Sequence, residues 1–367
     1  MTPVDSPPQV APLDVRVMGV VVRIAAEDAE TRDRLARQWS RARVETTDDD
    51  PAVTLTVAPS VPASQAASDY LLTTRVTLAG LTATAGRRLN LHAGGLADDR
   101  GRVLALVAAS GTGKTTATRV LARRLGYVSD ETVSVDPDGT VTPHPKPLSV
   151  VTDPDRPMDK EQHSPDDLGL VTTPVSGRLA RLVVLHRDTE APRGLVRLGA
   201  LRGMLDLIEQ SSSLAQLDDP LRTLYSLVAA CGGVWSLGYE EIADEVDGLV
   251  ALLDEEAPPG PQPETVWHPG SSESAVTDGD GPLVGRLPWV DAVEIDDEVV
   301  VLTESKAWLL ADLTATVWLH LELPRTVDEL VEAAQRRHGE HPDARAIVEG
   351  AIATLAEEDL VVRGTLA

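Results

Sequence analysis

The chain contains no phenylalanine, and aromatic residues make up 3% of its 367 positions. A core without aromatic bulk must be built from Leu, Val and Ala, and the 42% hydrophobic content is enough for one. A single cysteine, Cys231, excludes an internal disulfide and any cysteine-rich metal centre. Cys231 sits in the apolar run "LVAACGGVW", where a small buried side chain is expected rather than a nucleophile. No uncharged stretch is long enough to cross a bilayer, and the opening "MTPVDSPPQVAPLD" lacks the basic and apolar regions of a signal peptide. A cytoplasmic location is therefore expected. Positive charge is also scarce: 33 Lys and Arg face 58 Asp and Glu, for a net charge of -25. Such a chain repels polyanions, so neither nucleic acid nor an anionic membrane surface is an expected partner. A basic peptide segment or a neutral small molecule is compatible with that charge.

Residues 1–90 read as a small α+β module. After a Pro-rich start, "DVRVMGVVVRIAA" reads as a strand and "DAETRDRLARQWSRAR" as a helix with Leu35 and Trp39 on one face. "PAVTLTVAP" reads as a further strand, "VPASQAASD" as a loop, and "YLLTTRVTLAG" and "LTATAGRRLNLHAG" as antiparallel strands. Residues 91–256 read as an α/β unit built on the apolar strand "GRVLALVAA" and the helix "GKTTATRVLARRL". In it, "GYVSDETVSVDPDGTVTPH" reads as strand, tight turn at 136–139, strand, and a long polar segment without clear periodicity precedes the core strand "LARLVVLHR". Three helices close the unit. Residues 257–283 have the Pro, Gly and Ser content of a linker, in which Trp267 either pins the segment to a domain or stands exposed. Residues 284–367 read as three short strands followed by three helices, the second opened by a Thr326–Glu329 capping box. Trp308 and Trp318 are expected in the core of that unit.

The chemistry is concentrated in "LVAASGTGKTTATRVLARRLGYVSDE". Ala108 to Thr115 fits a phosphate loop with Ala in place of the first Gly, between a strand and a helix as such a loop requires. Gly111 and Gly113 let consecutive N–H groups converge on phosphate oxygens, and the helix N-terminus adds positive potential. Lys114 is placed to neutralise β- and γ-phosphates, and Thr115 to offer a hydroxyl to Mg²⁺. Ser110, Thr112 and Thr116 complete the nucleotide-binding stretch. Asp130 and Glu131 follow a short strand one helix later. A strand there can lie beside the phosphate-loop strand and carry both acids towards the γ-phosphate, one to hold metal and one to take a proton.

"SGTGKTT" followed so soon by "SDE" resembles the HPr kinase/phosphorylase and phosphoenolpyruvate carboxykinase superfamily. "LNLHAGGL" and "VTPHPKPLSV" resemble segments of its HPr kinase-like branch, and the likeness covers roughly residues 90–256. It implies ATP and Mg²⁺ as cofactors and Asp130 as the leading catalytic or metal-holding acid, with Glu131 second and His92 near the phosphates. Lys146 either reaches phosphate or substrate or is a surface lysine braced by prolines; His163, in the long polar segment, is a further candidate for the substrate side. The signature by which classical members recognise HPr is not found, and the first 90 residues do not resemble their N-terminal domain.

"PWVDAVEIDDEVVVL", "LLADLTATVWLHLE", "TVDELVEAAQRRHG" and "ATLAEEDLVV" resemble the PqqD-like fold, a winged-helix-like module. In that family the module holds the leader of a ribosomally made precursor peptide as an added strand at a sheet edge. Together the resemblances imply a kinase for a Ser or Thr hydroxyl of such a peptide, tethered by residues 284–367. A kinase for a small metabolite such as serine, and a nucleotide-gated peptide chaperone, are the alternatives.

Overall fold

A computed structural model describes residues 10–45, 49–59, 65–151, 160–173, 176–187, 192–255 and 264–367. The Pro-rich opening and the first part of the expected linker lie outside them, apart from residues 10–12 of the former. The fold is mixed α/β and divides into two compact units. The first comprises the described residues of 1–199, 210–217 and 227–260; the second those of 200–209, 218–226 and 261–367.

The first unit opens with β1 (Leu13–Val17) and β2 (Val20–Ala26). The sequence suggested one strand here. Met18 and Gly19 instead have φ of 48° and 86°, a two-residue turn of the kind whose twist suits a hairpin, and β1 pairs antiparallel with β2. Helix α1 (Ala29–Gln38) is capped by Asp28, whose carboxylate accepts from the Thr31 N–H at 2.8 Å. β3 (Arg43–Val44) and β4 (Val53–Val57) complete a sheet of order β3-β1-β2-β4. Leu35 and Trp39 pack beneath it.

Most of the stretch expected as loop and antiparallel strands is instead one helix from its first described residue, α2 (Gln65–Thr84), with strand only from Leu89. Its Thr and Val content favours strands locally, but Leu72, Thr73, Val76, Thr77, Gly80 and Thr84 are buried at helical spacing. A Cβ on Gly80 would stand 2.7 Å from Val17 Cγ1, so glycine lets α2 close on β1.

β5 (Leu89–Leu91), β6 (Ala93–Ala97) and β7 (Arg102–Val107) enter the main sheet, followed by α3 (Lys114–Leu121), β8 (Gly126–Ser129), β9 (Val133–Val135) and β10 (Thr140–Thr142). β11 (Leu148–Val151) and β12 (Lys160–His163) form a two-stranded ribbon, so part of the long polar segment is regular structure. β13 (Gly177–His186) runs parallel to β7, and β14 (Gly194–Arg197) lies beyond it in the chain. The main path is β15-β5-β9-β10-β13-β7-β6-β8, where β15 is Ser211–Ser212. The expectation that the strand carrying the acids adjoins the phosphate-loop strand is corrected: β6 lies between them, antiparallel to both. β7 and β8 therefore still point the same way.

In the second unit α4 (Ala200–Ile208) packs against the later strand β21 (Ala307–Leu310). Helix α5 (Pro220–Ala230), strand β16 (Val234–Gly238) and helix α6 (Val246–Asp254) follow α4 and β15 in the chain. β16 belongs to the first unit, where it pairs with β13 and β14. The described part of the expected linker is not a linker. Residues from Thr265 form β17 (Thr265–Ser271) and β18 (Val276–Arg286). Trp267 is pinned, with the Arg222 guanidinium 4.9 Å from its ring centre. β19 (Trp289–Ile295) and β20 (Glu298–Leu302) join β17 and β21 in the order β17-β19-β20-β21, four strands rather than three. Helices α7 (Asp312–Leu319), α8 (Val327–His338) and α9 (Ala344–Glu357) follow, with β22 (Arg325–Thr326) and β23 (Val361–Leu366) pairing to β18. The capping box closes, with the Thr326 N–H donating to Glu329 Oε2 at 2.8 Å. Trp318 is core. Trp308 is half-buried beside the β20–β21 turn, where it packs against that core with the Lys306 ammonium 5.1 Å from its ring centre. Among the described residues no helix is long and apolar enough to cross a membrane.

One glycine of the main sheet gives a direct test of the packing. A Cβ on Gly94 of β6 would overlap the Thr118 hydroxyl of α3, which is itself buried without a hydrogen-bond partner. Gly94→Ala is expected to cost about 1–3 kcal/mol of unfolding free energy in a denaturant titration. Adding Thr118→Ala should recover most of that loss.

Candidate active site

The phosphate loop forms where β7 hands over to α3. Gly111 and Gly113 have φ of 87° and 90°, backbone that a side chain would strain, and Gly113 caps α3. Three contacts set the loop. Thr112 Oγ1 donates to Ala109 O at 2.7 Å, Lys114 Nζ donates to Ala108 O at 2.8 Å, and Tyr239 Oη donates to Thr112 O at 3.1 Å. The Lys114 ammonium thus folds back over its own loop. Burial lowers its pKa to about 8 against the opposing pull of Asp130 and Glu131.

The acids arrive on β8. Ser129 Oγ accepts from the N–H groups of Glu131 and Thr132 at 3.2 Å each, which fixes the turn after the strand. Asp130 is held from three directions. Thr115 Oγ1 donates to its Oδ2 at 3.1 Å, Tyr127 Oη lies 3.1 Å from its Oδ1, and the Lys146 ammonium lies 3.0 Å from the same oxygen. Lys146 also reaches Glu131 Oε2 at 3.3 Å. Of the two readings offered for Lys146, the surface lysine is excluded. It is 1% exposed, and its charge is spent on the two acids. Those acids and burial act on its proton in opposite senses, and the acids prevail, raising its pKa. The prolines around it keep the backbone extended. His144 N–H donates to Val128 O at 3.0 Å, so "HPKP" runs beside β8 and delivers Lys146 beneath the acids.

Glu131 keeps 37% of its side-chain surface open. Burial pushes its proton affinity up, but the Lys146 charge and hydrogen bonds from Lys146 and Thr77 outweigh it, and the carboxyl stays below its ordinary range. His92 is pushed down by burial and then by the Lys114 charge, so its imidazole is neutral at pH 7. His144, fully buried, is lowered to about 3. Tyr127 is pushed up, by burial first and then by Asp130.

One cavity of about 390 Å³ gathers His92, Ser110, Gly111, Gly113, Lys114, Thr115, Thr116, Asp130, Glu131 and Lys146. Thr112 is absent from that wall because its side chain turns back to Ala109. His163 is not on it either and pairs with Glu161 at 3.3 Å. The thiol of Cys231 is pushed up to about 12 by burial, which removes it as a nucleophile. Residues not singled out from the sequence complete the wall: Tyr70, Arg119, Ser149, Val150, Val151 and Lys160. Arg119, four residues past Thr115 on one helix, was the legible one. Tyr70 was read as a strand residue, which hid it.

Among the described residues no group of three or more His, Cys, Asp or Glu could hold a metal ion. Thr115 Oγ1 and Asp130 Oδ2 nevertheless stand together, and Asp130 Oδ2 has no ammonium on it. One hydroxyl and one carboxylate oxygen suit a hard cation that keeps its waters and takes its remaining ligands from phosphate, as Mg²⁺ does.

Two outcomes are expected. Lys146→Met leaves two carboxylates uncompensated in a buried place and should cost about 3–5 kcal/mol in denaturant unfolding, with partial recovery on adding Glu131→Gln. For Lys114, phosphate bound beside the ammonium raises a pKa that starts at about 8. ATP affinity should therefore be full below pH 8 and fall above it by up to about tenfold per pH unit, with Lys114→Arg flattening the profile in a calorimetric titration.

No family model matches the chain, and no curated protein matches it. Among solved structures it is similar to the Hpr(Ser) kinase/phosphatase from Coxiella burnetii, at 11% identity with a TM-score of 0.24, over 44% of this chain and 93% of that one.

Proposed function

We propose that this chain is an ATP-dependent kinase that phosphorylates a Ser or Thr hydroxyl of a ribosomally made precursor peptide, and that its second unit holds the peptide's leader. The observation that carries the kinase reading is the line from Thr115 through Asp130 to Lys146 and Glu131, set against a phosphate loop within one cavity. The loop N–H groups and Lys114 grip the β- and γ-phosphates. Thr115 and Asp130 would hold Mg²⁺, which when bound neutralises charge on those phosphates. Asp130 is engaged on both oxygens by donors, so it is poorly placed to take a proton. Glu131 is ionised, more open, and shares its wall with neutral His92, which suits it to orient an acceptor hydroxyl and take its proton.

The leader reading is supported by a separate cleft of about 1010 Å³ in the second unit. Trp289 and Trp308 line it together with Glu304, Glu357, Glu358 and Asp359, against a single Lys306. Indole faces within a ring of carboxylates suit a basic extended segment carrying an apolar anchor. Strand addition at β21 is less simple than the sequence suggested, because α4 already lies against that strand and β17 occupies the opposite edge of the sheet. Side-chain capture in the cleft avoids both.

Three full-length variants test this. With ATP, Mg²⁺ and a candidate precursor, the wild-type chain should add one phosphate by mass. Glu131→Gln should cut turnover about 10²–10⁴-fold while nucleotide affinity stays within threefold. Asp130→Asn should weaken nucleotide binding chiefly when Mg²⁺ is present. Glu358→Lys should weaken anisotropy-measured leader binding at least tenfold and leave ATP binding unchanged. Full activity in Glu131→Gln refutes the proton-acceptor role, and unchanged leader binding in Glu358→Lys refutes the cleft.

A further inference from the structure

The wall of the nucleotide cavity carries two cations outside the phosphate loop, Arg119 and Lys160. Arg119 lies one turn along α3 from Thr115, on the same face of the helix. Lys160 opens β12, opposite Val151 in the ribbon, with its ammonium 5.5 Å from the centre of the Tyr70 ring. All five residues line the cavity that holds Lys114 and Glu131. Neither cation has a carboxylate partner among the described residues, although the chain carries a net charge of -25. The two acids of the cavity pair with Lys146. Cations without a carboxylate partner among the described residues focus positive potential on whatever enters a cleft. Tyr70 and Val151, 40% and 42% exposed, add apolar surface beside them.

We infer that Arg119 and Lys160 form an anion subsite for the acceptor, so that the phosphorylated hydroxyl sits next to a carboxylate or phosphate group in the substrate. This rests on the kinase reading above. The oxyanion is held by the two cations while Glu131 takes the hydroxyl proton and the oxygen attacks the γ-phosphorus. The bond from that phosphorus to the β–γ bridging oxygen breaks, ADP leaves, and the acceptor becomes a phosphate ester.

The test compares three acceptors with labelled ATP: a Ser peptide with Asp beside the serine, the same peptide with Asn there, and free L-serine. Wild type should favour the Asp peptide over the Asn peptide at least tenfold in kcat/KM. Arg119→Gln and Lys160→Gln together should bring the two peptides within twofold while KM for ATP moves less than twofold. L-serine matching the Asp peptide would assign the anion to a free amino acid; a much poorer rate would assign it to a peptide side chain. Equal use of the Asp and Asn peptides by wild type overturns the subsite. So does a double variant that keeps the preference and instead raises KM for ATP, because the cations then serve the nucleotide. If no acceptor is phosphorylated, the kinase reading fails on its own. The subsite is then read from anisotropy of the labelled peptides with ADP present: tighter binding of the Asp peptide, lost in the double variant, supports it, and equal binding overturns it.

Discussion

The buried ammonium of Lys146 is the charge on which the site depends. Two carboxylates at adjacent positions would repel each other and draw protons if they stood alone in a buried wall. With Lys146 3.0 Å from one and 3.3 Å from the other, its charge offsets one of the two carboxylates and Glu131 stays ionised. The same contact sets geometry. It occupies one oxygen of Asp130 and turns the other towards Thr115, so metal-facing and proton-accepting duties fall to different residues. A lysine can do this because proline-braced backbone brings it in from a strand-like run beside β8 and not from solvent.

Close backbone approach is the second constraint. β6 separates the phosphate-loop strand from the acid-bearing strand, and α3 lies across it. Gly94 makes room for Thr118, and Gly95 faces Val128 and Val133, where a Cβ would stand 3.1 Å and 2.9 Å from their side chains. Without Gly94, α3 would be pushed away from β6 and Thr115 would lose Asp130. The second unit holds four of the six tryptophans and buries a cation among them. Arg286 lies 3.7 Å from the centre of the Trp318 ring and 5.2 Å from that of Trp289, and donates to the carbonyls of Trp318 and Leu319. Its cation sits on the indole faces, and burial lowers its pKa to about 10.

Much of the site was readable along the chain because it is local. The loop from Ser110 to Thr116 is a single turn and helix start, and Asp130 and Glu131 follow within one helix and strand, so spacing alone brought them near one another. The capping box at Thr326 and the hydrophobic face of α1 are local for the same reason. What escaped was long-range. α2 was read as strands because Thr and Val prefer them in isolation, yet burial against β1 and β12 decides for a helix. The stretch after residue 263 has linker composition, but it pairs with partners from Trp289 onwards and at the C-terminus, which no local pattern reveals. Lys146 shows the division most plainly. By itself the sequence could set a lysine among prolines; only the tertiary structure could place its charge between two acids, because the energy of a buried ion depends on what surrounds it in space and not on its neighbours in the chain.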